Sequence, residues 1–259
     1  MLTAAMRAQL SVVLVGARNP SNIGAAARAM HDFGFQDLRF VNDYVAPFEA
    51  AQLEVPKSAV AAADVMRSAR AFSSVAEAIA DCTLAVGTTA IGERQLTRPV
   101  ISLAEAAPLI LQDLAAPHAR VALLFGSEKT GLTNDQLSHC QMLLTVPLFA
   151  PENGRHLSMN LGQSVAVCLY ELTRDGFESA RELPRTPESL VTAEARDRIT
   201  QLLMEAMAAT GYSRRFPANA REHVVRQLAL QLGRTEDEAA TWMGFFRQVL
   251  RSTKKDAPA

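Results

Sequence analysis

The segment NPSNIGAAARAM, residues 19–30, places two amide side chains and an arginine directly after the apolar run SVVLVG. Asn19 is a favourable helix cap and Pro20 suits the first helical position, so a helix is predicted to begin here. Asn22 can supply neutral hydrogen bonds, and the Arg28 guanidinium can bind a phosphate through two parallel hydrogen bonds. Taken alone, Asn22 is typical of a turn and Arg28 of a solvated helix surface.

The segment LLFGSEKTGLTNDQL, residues 123–137, carries a carboxylate between two glycines after another apolar run. Gly126 and Gly131 have the outer spacing of a phosphate-binding loop, but Leu132 stands where that motif requires lysine. A nucleoside triphosphatase is therefore disfavoured. A dinucleotide oxidoreductase is also disfavoured, because no G-x-G-x-x-G follows the first strand. Glu128 taken alone is more typical of a solvated loop than of a catalytic group.

Two further segments bring polar residues to the ends of strand-like runs. In VPLFAPENGRHLSMNLGQSVAVCLYEL, residues 146–172, a polar loop leads to SMN and then to a helix, for which Ser158 is a plausible cap. His156 has no second ligand at a useful spacing, so no metal site is predicted. In VGTTA, residues 86–90, two threonines can close a strand by hydroxyl contacts or line a pocket at its end.

Strand-like and helical patterns alternate along the first two thirds of the chain. Short runs that are apolar on both faces predict buried parallel strands at 11–15, 38–41, 83–87, 121–125 and 143–147. Helical patterns lie at 22–33, 57–68, 74–81, 102–114, 133–140 and 158–172. This alternation predicts an α/β fold with a parallel sheet covered on both sides. The carboxyl ends of parallel strands share one edge, so the four polar loops can build one site there.

The pattern changes in the last third of the chain. Residues 176–191 are polar, contain two prolines and predict a linker between a domain at 1–175 and a helical extension at 192–259. Helices are predicted in the extension at about 192–209, 218–232 and 236–250. The last of them has capping-box spacing between Thr235 and Glu238.

Composition sets limits on partners and compartment. The chain has 259 residues, a formal net charge of −1 and 49% apolar residues, so nucleic acid would have to bind a local basic patch. The three cysteines are widely separated in apolar contexts, which predicts buried, reduced thiols. Neither a signal peptide nor a transmembrane run of about 18 apolar residues is predicted, and the cytoplasm is the expected location.

Segments 19–30, 123–137 and 146–171, taken in order, resemble the SpoU-type RNA ribose 2′-O-methyltransferases of the SPOUT superfamily. The likeness covers residues 10–175. The short N-terminus, VGTTA and the small helical extension are most similar to the bacterial tRNA methyltransferases of that family that act on cytidine or uridine at nucleotide 32 of the anticodon loop. The family's SLN reads SMN here, a mild change at an apolar position.

The resemblance implies a parallel-sheet SPOUT fold with a C-terminal trefoil knot, a homodimer and the cofactor S-adenosylmethionine (SAM) held in the knot. An exposed apolar helix at 158–172 would also favour a dimer. The resemblance assigns catalysis to Arg28, Asn22, Glu128, Ser158 and Asn160. It assigns cofactor contacts to Thr88, Thr89, Ala90, Leu124, Gly126, Glu128, Gly131, Val146, Pro147, Leu148, Ser158, Met159 and Asn160. RNA contacts are expected at Arg28, Arg214, Arg215, Arg221 and Arg226.

Physical chemistry favours particular roles for these groups. A guanidinium does not readily give up its proton, so Arg28 is better suited to holding an RNA phosphate than to acting as a base. Glu128 can pair with Arg28 or orient the ribose hydroxyl. The two glycines of its loop allow backbone to approach the adenosine, and apolar Leu124, Val146 and Met159 would wall the adenine. The arginines of the extension can grip an RNA backbone or form a solvated helix face.

The implied reaction is SAM-dependent methyl transfer to a ribose 2′-hydroxyl of RNA, most simply at tRNA nucleotide 32. The alternatives are the same chemistry at another tRNA or ribosomal RNA position, and a non-catalytic RNA-binding or SAM-binding protein on the same fold. The presence of all five candidate catalytic residues argues against the non-catalytic alternative.

Overall fold

The structure, a computed structural model, describes residues 2–42, 62–90, 98–149, 158–174, 191–233 and 235–255. The loop residues Gly154, Arg155 and His156 and most of the predicted linker lie outside these ranges. Within the described residues the chain forms one seven-stranded parallel sheet of order β3-β2-β1-β6-β4-β7-β5. Its strands are β1 Leu10–Val15, β2 Asp37–Val41, β3 Arg70–Phe72, β4 Leu84–Thr88, β5 Ile101–Ser102, β6 Val121–Phe125 and β7 Met142–Thr145.

The α/β prediction is confirmed, and so are all five predicted strands. Val12 of β1 is paired with Leu123 of β6, and Leu123 is in turn paired with Val86 of β4, so three apolar strands lie side by side in the middle of the sheet. The edge strands β3 and β5 were not predicted. They are three and two residues long and incompletely buried, so they lack an apolar run.

Helices cover both faces of the sheet. The described part before residue 175 contains α1 Ala4–Ala8, α2 Pro20–Asp32, α3 Ala63–Ser68, α4 Val75–Ala78, α5 Leu103–Leu114, α6 Asn134–Ser138 and α7 Leu161–Arg174. Along β1, Val12 and Leu14 pack in a core with α2, α3, α5 and α7, whereas Val13 and Val15 pack in a second core with α4 and α6. Alternate side chains of a strand point to opposite faces, which explains the two cores.

The helix formed by the alanine-rich segment begins at the predicted cap. Asn19 caps it and Pro20 is its first residue. Gly34, with φ of 79°, follows its end, where the amide of Phe35 donates to Met30 O at 2.8 Å. This left-handed glycine is the usual way to close a helix. The first helix, Ala4–Ala8, was not predicted, since five residues contain too little periodicity.

The helix predicted at 158–172 is not an exposed apolar surface. It is α7, and its apolar stripe lies in the first core against α2 and α5. The argument for a dimer from an uncovered helix is therefore wrong, because the chain itself covers the stripe. Cys82, Cys140 and Cys168 are free and buried, as predicted. None of the helices in the described part of the chain is long and apolar enough to cross a membrane.

The extension has its own small core. Its helices are α8 Ala193–Ala209, α9 Tyr212–Arg215, α10 Glu222–Leu232 and α11 Glu236–Lys255. The predicted helix at 218–232 is thus shorter, with the separate turn α9 before it. The last helix continues to Lys255, beyond the predicted end. Apolar residues of α8, α10 and α11 form a third core cluster, separate from the two that flank the sheet.

Backbone and arginine hydrogen bonds attach the extension to the α4 and α6 face of the sheet. The amide of Ala193 donates to Cys82 O at 2.7 Å. The buried Arg196 donates from Nη1 to Thr83 O at 2.9 Å and from Nε to Gly233 O at 3.4 Å. A buried guanidinium must have hydrogen-bond acceptors, and here they come from both sides of the contact.

The expectation that Arg226 binds RNA is wrong. Arg226 is 6% exposed, and its Nη1 donates to Ser138 Oγ at 2.6 Å and to Asp135 Oδ1 at 3.2 Å. Its Nη2 pairs with Glu222. The guanidinium is therefore enclosed between α10 and α6, where it holds the extension in place and is not accessible to a nucleic acid backbone.

The same contact predicts a pH dependence of stability. Burial, reinforced by the charge of Arg226 and opposed by Asp135, lowers the pKa of His139 from 6.5 to about 4. The unfolded chain therefore binds this proton at higher pH than the folded chain. The free energy of unfolding should decrease as the pH falls from about 6.5 towards 4. In urea unfolding, His139→Gln should flatten this part of the profile, and the exposed His31→Gln should leave it in place. An unchanged slope in His139→Gln would contradict the assignment.

Candidate active site at the carboxyl edge of the sheet

Three strand-end segments meet through a chain of side-chain hydrogen bonds. Asn22, in the first turns of α2, donates from Nδ2 to Glu128 Oε1 at 3.0 Å. Asn160, just before α7, donates from Nδ2 to Asn22 Oδ1 at 2.7 Å. Asn22 and Asn160 are 138 positions apart in the chain. The structure thus brings together three of the five residues predicted to be catalytic.

Glu128 is the acceptor at the end of this chain. Besides Asn22, it accepts from the amide of Arg18 at 3.2 Å and from the amide of Asn19 at 3.1 Å. Burial raises the pKa of Glu128, but the hydrogen bonds from Asn22 and from backbone amides outweigh it, and the pKa lies below its ordinary 4.5. The group is therefore ionised at neutral pH and is a weak proton acceptor. Its geometry suits it to fixing the start of α2.

The loop that carries Glu128 is folded back on itself at its two glycines. A Cβ on Gly126 would lie 2.1 Å from Gly131 C, and Gly131 has φ of 65°. The amide of Gly131 donates to Ser127 O at 2.8 Å, which closes the turn. These glycines allow the loop to contact itself closely.

Close packing of α2 against α7 sets the position of Asn160. A Cβ on Gly162 would lie 2.5 Å from Ala25 Cβ, so the two helices approach at a pair of small residues. Asn160 Oδ1 accepts from the amides of Gly162 at 2.9 Å and Gln163 at 3.3 Å. Asn160, and not Ser158, is thus the cap of α7, and its other side-chain atom remains available for Asn22.

Arg28 does not contact Glu128 in this structure. It lies six residues beyond Asn22, about 9 Å further along the axis of α2. Its Nε donates to Asp32 Oδ1 at 2.8 Å, and its side chain is 50% exposed. The expected pairing of Glu128 with Arg28 is therefore replaced by the pairing of Glu128 with Asn22. Arg28 instead projects at the surface, two turns from the hydrogen-bonded cluster.

The residues expected to contact a cofactor lie at the ends of β4 and β7 and before α7. Thr88 Oγ1 donates to Leu124 O at 2.9 Å, and the amide of Thr89 donates to Leu144 O at 2.9 Å. Partly or fully exposed positions at this edge include Thr88, Thr89, Ala90, Val146, Pro147, Leu148, Ser158 and Met159. This set offers hydroxyl groups and apolar side chains, as an adenosine and a methionine chain require.

Leu124 differs from these exposed residues at the carboxyl edge of the sheet. Its side chain is 0% exposed and lies in the second core against residues of α4 and α6. Only its carbonyl group, which accepts from Thr88, takes part in the edge of the sheet. The expectation that its side chain walls an adenine is wrong, because the alternation of β6 directs it to the sheet face covered by α4 and α6, where it is enclosed in the core.

Sequence reasoning missed the backbone part of the site. The amides of Arg18 and Asn19 hold Glu128, and Asn42 at the end of β2 donates to Ala17 O at 2.9 Å. The cap motif at Asn19 was a signal that this turn is ordered, but no pattern in the sequence indicates which carboxylate its amides would bind. Among the described residues there is no cluster of three or more groups that could hold a metal ion.

The chain is similar to a family of RNA methylases and, along almost its whole length, to tRNA methyltransferases. The family model described as the SpoU rRNA Methylase family matches residues 9–170. A tRNA (cytidine/uridine-2′-O-)-methyltransferase TrmJ of Sodalis glossinidius is 30% identical over 252 residues, which are 96% of this chain and 94% of the relative. The protein of the same name from Pectobacterium atrosepticum is 32% identical over 250 residues, covering 95% and 97%.

Solved structures show the same architecture. The crystal structure of TrmJ from Z. mobilis matches with a TM-score of 0.72 and 29% identity, over 92% of this chain and 98% of that one. A probable methylase family protein from Haemophilus influenzae, at 22% identity and a TM-score of 0.54, shares the fold over 97% of this chain. The matches therefore include the extension as well as the sheet domain.

Proposed function

The chain belongs to the SpoU rRNA methylase family and is a methyltransferase, and we propose that it methylates a ribose 2′-hydroxyl of tRNA. The observation that carries this proposal is the match along almost the whole chain to two relatives named tRNA (cytidine/uridine-2′-O-)-methyltransferases. The connected Asn22, Glu128 and Asn160 at the strand ends support it, because they occupy the edge where parallel sheets hold their sites.

We further propose cytidine or uridine at nucleotide 32 of the anticodon loop as the target. The names of the full-length relatives support the choice of base, and the resemblance of the N-terminus and extension to the nucleotide-32 enzymes supports the position. A wider choice of base is the second candidate. A relative from Pseudomonas aeruginosa, 37% identical over 164 residues, is named a cytidine/uridine/adenosine methyltransferase.

We propose that S-adenosylmethionine is the methyl donor. When bound, its sulfonium group supplies an activated methyl group, which moves in line to the ribose oxygen while the sulfur loses its charge. The exposed backbone and hydroxyl groups of Thr88, Thr89 and Ala90 would hold the polar part of the donor, and Val146, Leu148 and Met159 its adenine. The proposed cofactor contacts also include Ser158, Pro147 and the backbone of Gly126 and Gly131.

The chain's own residues have to orient the ribose and stabilise the charges around it. SAM would supply the methyl group to the ribose oxygen, and the hydroxyl proton would pass to solvent. Glu128 holds the turn at Arg18 and Asn19, and Asn22 and Asn160 keep the start of α2 against the start of α7. This rigid edge would bring the hydroxyl to about 3–3.5 Å from the methyl group. Arg28 would leave Asp32 and grip a phosphate beside the target ribose.

Three further predictions continue as proposals. The homodimer is supported by exposed apolar side chains, notably Phe149 after β7 at 87% exposure and Tyr170 on α7 at 54% exposure. Sedimentation showing a monomer at micromolar concentration would contradict it. The trefoil knot in the C-terminal part of the sheet domain also stays a prediction. The cytoplasmic location also stays a prediction.

Ribose-methylation mapping tests the proposed function directly. Total tRNA and ribosomal RNA from a deletion strain should lose one 2′-O-methyl group, at nucleotide 32 of particular tRNAs. The purified protein should restore it with SAM, and a transcript with 2′-deoxyribose at nucleotide 32 should not accept a methyl group. Loss at a different position would leave the chemistry in place and overturn the target. No loss in any RNA, with no transfer in vitro, would overturn the function.

A further inference from the structure

The segment 211–221, which links α8 to α10, is an uninterrupted basic surface. Its three arginines, Arg214, Arg215 and Arg221, are exposed, and none of them forms an ion pair with any residue that the structure describes. No acidic residue occurs between Glu205 and Glu222. Several exposed arginines in other parts of the described chain are paired with carboxylates, as Arg28 is with Asp32. Three unpaired guanidinium groups on one short segment favour a polyanionic partner.

Two aromatic rings lie among these arginines. Phe216 is 42% exposed and Tyr212 is 37% exposed, and their ring centroids are 4.9 Å apart. The Arg215 guanidinium carbon lies 5.4 Å from the Phe216 centroid. Asn219 Nδ2 donates to the Tyr212 hydroxyl at 3.2 Å, which holds that ring in place. The segment therefore presents two partly exposed aromatic rings in contact with each other, with a guanidinium over one of them and further arginines nearby in the chain.

Helix packing connects this segment to the loop that carries Glu128. Glu222, the first residue of α10, follows Arg221 directly, and one turn later Arg226 donates to Asp135 and Ser138 of α6. Helix α6 begins directly after the loop that carries Glu128. The buried contact of Arg226 thus connects the basic segment to the edge of the sheet through two short, well-packed helices.

From this juxtaposition we propose that segment 211–221 binds an unpaired nucleobase of the RNA substrate. The base stacks on Phe216, and Arg214, Arg215 and Arg221 hold the neighbouring phosphates. Stacking on an aromatic side chain needs a base that is not covered by its own helix, so the proposal predicts contact with a loop nucleotide. It rests on the proposed function, since it takes RNA as the substrate.

Charge favours RNA over the other possible occupant, a second copy of this chain. A two-fold contact places the same patch of each copy against the other, so the three arginines would face three arginines. An RNA backbone instead neutralises them and releases its counterions. Oligomeric state is therefore measured for each variant below.

The test compares binding of two RNAs by full-length variants. One RNA is a tRNA anticodon stem–loop, and the other is a fully paired duplex of the same stem length. Phe216→Leu should weaken stem–loop binding by about tenfold, because it keeps an apolar side chain but removes the ring. It should leave duplex binding and the thermal unfolding midpoint unchanged. Phe216→Tyr should bind like the wild type. Phe245→Leu, which removes another exposed ring from α11, is the matched control and should also bind like the wild type.

Salt dependence separates stacking from charge. Replacing Arg214, Arg215 and Arg221 by glutamine should lower the slope of log stem–loop affinity against log salt by about two, because each phosphate contact in a single-stranded loop contributes about 0.7. Phe216→Leu should not change that slope.

Three results for Phe216→Leu would each overturn the stacking proposal. They are equal losses of binding to the stem–loop and the duplex, unchanged binding to the stem–loop, and a change from dimer to monomer. Methyl transfer by the wild type is measured alongside. Its absence would overturn the proposed function, whereas transfer combined with normal binding by Phe216→Leu would overturn only the stacking.

Discussion

Arg28→Ala is expected to lower single-turnover methyl transfer to tRNA by about a hundredfold or more, roughly the cost of losing a charge-assisted contact that strengthens in the transition state. The fold should be unaffected, because the side chain is half exposed and its single ion pair, to Asp32 one turn away, is of a kind worth only about 0.3–0.5 kcal/mol. SAM affinity should also be close to that of the wild type, since Arg28 lies two turns from the edge of the sheet.

Three variants make this expectation specific. Arg28→Lys should recover little activity, because an ammonium group cannot reproduce the planar fork of a guanidinium. Arg67→Ala is the matched control, since Arg67 is also an exposed helical arginine paired with a nearby aspartate, Asp64. Asp32→Ala should keep most of the activity, because it removes only the resting partner of Arg28. Near-wild-type transfer by Arg28→Ala would show that Arg28 is an ordinary solvated arginine.

Asn22→Asp is expected to reduce methyl transfer by about a hundredfold or more at neutral pH, with little change in side-chain volume. In the wild type Asn22 Nδ2 donates to Glu128 Oε1 at 3.0 Å. The variant replaces this donor with a carboxylate oxygen, so two negative groups would meet at hydrogen-bond distance. The start of α2 should then move away from the loop, and a misplacement of about 1 Å can cost that factor in rate.

A second change should partly reverse the first. In Asn22→Asp combined with Glu128→Gln, the new amide can donate to the new carboxylate, so the hydrogen bond is restored with its direction reversed. Transfer by the double variant should exceed the value expected from the two single variants, as a double-mutant cycle would show. Asn134→Asp adds the same charge at an exposed position beyond the loop and should have little effect. Additive losses would mean that Asn22 and Glu128 act separately.

Much of the fold could be read from local patterns. The five apolar strands and the cap at Asn19 depend on residues within a few positions of one another, and all of them were predicted. The two edge strands and the first helix were not, because such short elements carry no periodic signal of their own. They form only when a neighbouring strand or core supplies their partners.

The arginines illustrate the limit of sequence reasoning most clearly. Arg226 and Arg214 occur in similar helical contexts, yet Arg226 is 6% exposed and enclosed, whereas Arg214 is exposed and unpaired by any described residue. Whether an arginine is enclosed depends on which helix packs over it. For Arg226 that is α6, whose Asp135 is 91 positions earlier in the chain. Local sequence does not contain that information.

The sequence by itself determined the class of fold, the strand-end location of the site and the family's three motifs, because these follow from apolar periodicity and from residue types at short spacing. Only the tertiary structure decided which partners those residues have. Glu128 binds Asn22 and two backbone amides, not Arg28, and Asn160 replaces Ser158 as the cap of α7. The physical reason is that parallel strands bring distant loops to one edge. There, the close approach of Ala25 and Gly162 and the folded glycine loop set distances to a fraction of an ångström.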